Sequence, residues 1–175
     1  MRKAEVELLV GYMYWVNHRL LDAAERVDPG QFVADSRVTT RDLRATLVHE
    51  LDVEWSWRLN LQGRPDSEFG PDVELSATDY PDVRTLREHW RRDEIDMRAW
   101  LESLTDRSLE DDVPSRLSGN RRPLWQYVMH IVTHAAQQQA DAATLLTMFG
   151  QSPGELGLLE YLRSDGHAEA DSAAS

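Results

Sequence analysis

Residues 123–150 read PLWQYVMHIVTHAAQQQADAATLLTMFG, and the stretch predicts one uninterrupted helix. Pro123 suits a first helical position, where its missing N–H costs nothing, and Gly150 suits the position just past the end. Between them Leu124, Val128, Ile131, Ala135, Gln138, Ala142, Leu145 and Phe149 recur at alternating steps of four and three. Such a seam packs against near-antiparallel neighbouring helices. One seam position, Gln138, is polar, and His130 and His134 precede it at single-turn intervals. Side chains at that spacing project together. A polar ladder on an apolar face must be hydrogen-bonded, metal-bound or hydrated, since leaving it bare costs several kcal/mol.

Working outward, the 175 residues make one domain with room for a substantial core. A formal net charge of −12, with 31 acids against 19 bases, argues against a nucleic-acid or anionic-membrane surface. The absence of cysteine removes disulfides, thiolate metal sites and a cysteine nucleophile. No apolar run approaches the roughly 20 residues of a bilayer span, and the N-terminus lacks a signal-peptide core, so a cytoplasmic protein is expected.

Three further helices are expected. Val6, Leu9, Val10, Met13, Val16, Leu20, Ala24 and Val27 trace a stripe over 2–27, which Asp28-Pro29-Gly30 should end. Residues 39–62 follow, capped by Thr39 or Thr40, with Leu43, Leu47, Glu50, Glu54, Trp57 and Leu61 on one stripe and His49 at its edge. The third, over 81–105 and opened by Asp79 and Pro81, carries Val83, Leu86, Trp90, Glu94, Met97, Leu101 and Leu104. His18 and His89 read as surface residues, whereas Trp57, Trp90 and Trp125 read as large fillers near the bundle axis or its mouth. Gly63 to Tyr80 lacks a lasting period and predicts a long crossover. Ser118-Gly119-Asn120 marks a turn with room for a short hairpin, and Leu156 to Leu162 is a short apolar piece. The fold expected is all-α, a four-helix bundle with long crossover connections over 1–163, followed by a disordered tail over 164–175.

His49, His134 and either His130 or Gln138 are the candidate metal donors on two helices. Imidazoles on facing helices suit Zn²⁺, Ni²⁺ or Fe²⁺, and three protein ligands plus water is the pattern of an open catalytic site. The alternative is a core histidine bonded to a backbone or carboxylate partner. His49 and Glu54 lie about 140° apart around their helix, so Glu54 reads as a hydrogen-bond partner for a neighbouring helix. Asp141, one turn past Gln138, is either a helper to these donors on the same face or a surface acid.

The run HELDVEWSW (49–57), Trp15 with Asn17 and Leu20-Leu21, and His130-x3-His134-x3-Gln138 followed by LLTMFGQSPGEL (145–156) resemble the DinB/YfiT-like family. The resemblance runs from the start of the chain to about Leu162. It implies a four-helix bundle, often dimeric, in a superfamily regarded as metal-dependent that includes thiol-dependent S-transferases and a mycothiol-dependent maleylpyruvate isomerase. The family's triad is one histidine on the second helix and two on the fourth. It maps onto His49, His134 and position 138, where this chain carries Gln138 instead of the expected histidine. A neutral amide oxygen is a weaker ligand than imidazole for Zn²⁺ or Ni²⁺. Either His130 takes the vacant role, or the site is weakened or empty. The resemblance therefore implies a metal-dependent hydrolase or thiol S-transferase with a weakened site and with Glu54 and Trp57 at its pocket. The alternative is a non-catalytic dimeric bundle that has lost its metal and acts as a small-ligand or interaction module. A homodimer is expected through apolar surface, including Trp55 and Trp100.

Overall fold

The computed structural model describes residues 1–69 and 71–164, so the expected tail lies outside the described residues apart from Ser164. Four long helices carry the fold: α1 (Lys3–Ala24), α3 (Leu43–Leu61), α4 (Val83–Ser103) and α6 (Leu124–Met148). They close into a ring of neighbours, α1 packing on α6 and α4, and α3 likewise on α6 and α4. Shorter helices are α2 (Pro29–Phe32), α5 (Asp106–Glu110) and α7 (Leu158–Arg163). A two-stranded antiparallel hairpin, β1 (Asp112–Pro114) with β2 (Arg121–Pro123), leads into α6 and pairs Val113 with Arg122. Its turn contains Gly119 at φ +68°, as the turn signal requires.

The helix ends follow capping chemistry more closely than the sequence expectation did. Asp42, not Thr39 or Thr40, caps α3 by accepting the Ala45 N–H at 2.7 Å. Thr39 is already engaged, its hydroxyl donating to the Arg41 carbonyl at 2.8 Å. Asp82 caps α4 through Thr85 N–H at 2.8 Å, so that helix starts at Val83 and not at Pro81. Each such cap contributes about 1 kcal/mol. Helix α1 stops at Ala24, short of the expected Val27, where the chain tightens into i→i+3 bonds from the Arg26 N–H to the Ala23 carbonyl and from the Val27 N–H to the Ala24 carbonyl, each at 3.1 Å. Pro29 then opens α2 at a position where its missing N–H is not needed. Helix α6 ends as expected, with Gly150 at φ +75° just beyond it.

The crossover from Gly63 to Tyr80 is built of three single-turn 3₁₀ segments, Asp66–Glu68, Pro71–Val73 and Ala77–Asp79. The Leu75 N–H donates to the Asp52 carboxylate at 2.8 Å, which pins this connection to α3. Helix α7 lies against α1, where Tyr12 donates to the Leu156 carbonyl at 2.7 Å. A Cβ at Gly11 would sit 2.6 Å from the Tyr161 hydroxyl, so the contact between the two helices explains a glycine inside α1 that costs about 1 kcal/mol of helix propensity.

The core is apolar at most levels, with Leu20, Leu43, Leu47, Leu51, Met97 and Ile131 almost wholly buried. One layer is polar. Glu50 and Glu54 are each 1% exposed and Asp93 is 2% exposed. The Gln139 amide donates to Glu50 at 3.1 Å, and with its own amide turned to suit, Asn17 donates to the same oxygen at 2.7 Å. Trp90 donates its indole N–H to Glu54 at 3.1 Å. Arg58 binds Asp93 through two nitrogens, Nε at 3.1 Å and a second from its guanidinium terminus. Tyr14 stands beside Glu54 without forming a well-shaped hydrogen bond. All four long helices thus send a group into this layer. Glu54, expected at the pocket mouth, is one of its interior members, because Trp90 draws it inward.

Candidate metal centre

His49 sits on α3 and His134 on α6, the two helices that share the most extensive contact. Their rings meet edge to face with centres 5.1 Å apart. Two imidazoles bound to one ion at the usual 2.0–2.1 Å have ring centres roughly 5 Å apart, and this pair has that separation. Both rings are half-buried, and both are held towards the neutral state in which a ring nitrogen can ligate. Burial and then the Arg41 charge lower His49, with Glu74 opposing. Burial, followed by the His49, His130 and Arg41 charges, takes His134 down to about 4.

A second set of donors meets at the same imidazole. His49, Asp52 and Glu74 offer ligand atoms that all lie within 4.8 Å of one another, and this group can hold a metal ion. Asp52 follows His49 by one helical turn, and Glu74 is delivered by the crossover that Leu75 ties to Asp52. Burial raises Asp52, while the Leu75 N–H works in the opposite direction. The group opens onto a recess of about 180 Å³ that Arg41 also lines. Nitrogen and carboxylate donors together suit Zn²⁺, Ni²⁺ or Fe²⁺, so the residues present fit the ion that a bundle of this kind implies.

The two competing third donors are placed differently. Gln138 is buried, 9% exposed, one turn past His134. His130 is exposed, with its ring 6.1 Å from that of His134 and packed edge-on against Trp57 at 4.8 Å. Trp57 also packs against Tyr127 at 5.4 Å, making an aromatic wall beside the histidines. Two of the remaining histidines serve elsewhere. His18 is exposed, as expected, and bonds Glu94 at 2.7 Å. His89, expected on the surface, is half-buried because Tyr80 bonds its ring at 2.6 Å.

Sequence reasoning placed His49 and His134 as candidates but missed Asp52 and Glu74. The His49-x-x-Asp52 spacing, one turn on a helix, was a legible signal for the first. Glu74 had none, since it lies in an aperiodic connection.

No helix among the described residues is long and apolar enough to cross a membrane. No curated protein matches the chain. The DinB family model matches residues 1–171, nearly the full length and including every donor above, and the chain therefore belongs to the DinB family.

Proposed function

We propose that this protein is a metal-dependent enzyme, a hydrolase or thiol S-transferase acting on a small molecule, with a divalent ion held at His49. The observation that carries the reading is the position of this one imidazole. It faces His134 at 5.1 Å across the helix seam, and it shares ligand distance with Asp52 and Glu74. His134 supplies the second nitrogen, and Gln138 and His130 compete for a further place. A Zn²⁺ ion bound there supplies Lewis acidity that brings a bound water or thiol towards ionisation near neutral pH.

The chain's own residues prepare the site in three ways. Burial and nearby positive charge favour neutral His49 and His134, each with one unprotonated ring nitrogen, so neither must shed a proton before binding an ion. The Leu75 N–H orients Asp52 by holding one carboxylate oxygen and leaving the other free. Trp57, backed by the buried Tyr127, offers an apolar wall to substrate. Because the chain has no cysteine, the thiol in an S-transfer reaction must come from a co-substrate.

Gln138 supports a second reading, a dimeric bundle that has lost its metal and binds a small ligand or partner without catalysis. An amide at a buried position one turn past His134 leaves the expected imidazole missing. Metal analysis separates the two. Protein purified without a histidine tag or chelator should carry about one equivalent of zinc, nickel or iron. Metal-free protein that takes up no ion on titration would leave the second reading standing.

A further inference from the structure

The recess at His49 contains a charge that the metal reading does not use. Arg41, just before the α3 cap, lines it together with His49, Asp52 and Glu74, and Val48 and Leu75 add apolar wall. The Arg41 backbone is held in place by the Thr39 hydroxyl at 2.8 Å. Its side chain is half-buried and has no ion-pair or hydrogen-bond partner among the described residues. Its charge nevertheless reaches both imidazoles. A guanidinium partly withdrawn from water and left unpaired is unfavourable, and a carboxylate that meets its planar fork with two parallel hydrogen bonds removes the penalty.

The charge balance decides when such an anion is welcome. Without an ion, Asp52 and Glu74 outweigh Arg41 and repel anions. A divalent cation neutralises the two carboxylates and leaves the guanidinium as the surplus, one positive charge suited to a monoanion. A phosphate dianion matches that surplus less well and meets more repulsion from the carboxylates. A recess of about 180 Å³ is the space of roughly six water molecules, enough for a small acid or the carboxylate end of a longer one.

We propose that Arg41 is the substrate anchor of this site, and that the molecule handled at His49 is a small carboxylic acid whose carboxylate pairs with the Arg41 guanidinium beside the ion. The proposal rests on the reading of the His49 recess as an ion centre, and it adds the substrate class.

The test uses the full chain, wild type, Arg41→Gln and Arg41→Lys, with folding checked by circular dichroism. Zinc affinity is measured by titration calorimetry. Propionate binding is measured by saturation-transfer NMR at constant ionic strength, with and without zinc. Zinc-loaded wild type should bind propionate, Arg41→Gln should bind it at least about tenfold more weakly, and Arg41→Lys should fall between because it keeps the charge but loses the fork. Zinc itself should bind Arg41→Gln as tightly as wild type or several-fold tighter, since a repelling charge has gone. A merely structural role for Arg41 would weaken zinc and propionate together, and that outcome overturns the proposal. So does unchanged propionate binding in Arg41→Gln, or no propionate binding to zinc-loaded wild type. If wild type takes up no zinc, the ion reading fails and the anchor beside the ion falls with it, whereas zinc uptake without propionate binding overturns the anchor alone.

Discussion

The imidazoles of His49 and His134 meet edge to face across the α3–α6 seam, their centres 5.1 Å apart and their planes 75° apart. These residues are 85 positions apart in the chain, and only the packing of the two helices makes them neighbours.

The first prediction concerns ion binding at this pair. His49→Ala should lower zinc affinity by at least about a hundredfold, because that imidazole is common to both donor sets. His134→Ala should lower it about tenfold, because it removes the second nitrogen but leaves His49, Asp52 and Glu74. Gln138→His should raise it about tenfold or more by replacing an amide oxygen with an imidazole. Calorimetry on wild type and these variants decides it. Tight binding by wild type that Gln138→His leaves unchanged would remove position 138 from the ligand set and make His130 the better third donor.

The second concerns acid stability of the metal-free protein. The folded state holds His134 down to about 4, below its ordinary value near 6.5. Its contribution is therefore fully present above about pH 6.5 and is lost as the pH falls towards 4, when the unfolded chain takes up a proton that the folded site resists. Thermal melts from pH 7 to pH 4 should show falling stability, and His134→Phe should flatten that decline. An equally steep decline in the variant would assign the effect to other groups.

Glu50 should behave in the opposite sense. Burial raises it well above the ordinary carboxyl range, although Gln139 and Asn17 hydrogen bonds pull it down. Its contribution is greatest below the unfolded value near 4.5 and decreases as rising pH ionises the unfolded chain. Glu50→Gln should thus match or exceed wild-type stability at pH 8, since the amide keeps an acceptor for Gln139 without a buried charge. Glu50→Ala should lose about 1–3 kcal/mol by leaving those amides unpaired. Chemical denaturation at pH 5 and pH 8 checks both.

The buried pair of Arg58 and Asp93 supplies a fourth prediction. Their side chains are 5% and 1% exposed, and Arg58 is the one cation bonded directly into the carboxyl layer among the described residues. Arg58→Ala should cost about 3–5 kcal/mol, because it leaves Asp93 buried beside Glu54 without a counter-charge. The double variant Arg58→Met with Asp93→Leu should recover most of that loss. Urea midpoints measure it, and a double variant no better than Arg58→Ala would show that the pair holds the layer through more than charge balance.

Assembly is the fifth. The expectation of a homodimer drew on Trp55 and Trp100, but both are half-buried against their own chain. The exposed large apolar side chains among the described residues are instead Val33, Val38, Ile95, Leu117, Met148, Leu159 and Leu162, of which Ile95, Met148, Leu159 and Leu162 lie on α4, α6 and α7. Light scattering at micromolar concentration should give twice the 20.1 kDa chain mass. A mass of one chain would remove the dimer from the proposed function.

By itself the sequence determined the helical class, the four long helices and the C-terminal end of α6, because Gly150 and the apolar seam are local signals with local physical effects, whereas Pro123, expected as the first helical residue, is the N-cap that ends β2. It also placed His49 and His134 as candidates and marked the departure at Gln138. What it left open was depth and approach. Glu50 and Glu54 share a stripe with apolar residues, but whether a carboxylate lies inside depends on partners from other helices, here Gln139, Asn17 and Trp90. His89 read as exposed because nothing adjacent in the chain predicts the Tyr80 bond that holds it. Glu74 and Arg41 carried no periodic signal, and they reach His49 only because Asp52 captures the Leu75 N–H and Thr39 holds the start of α3. Helices are written in local spacing, whereas the recess at His49 is assembled from segments whose separation in the chain says nothing about their separation in space.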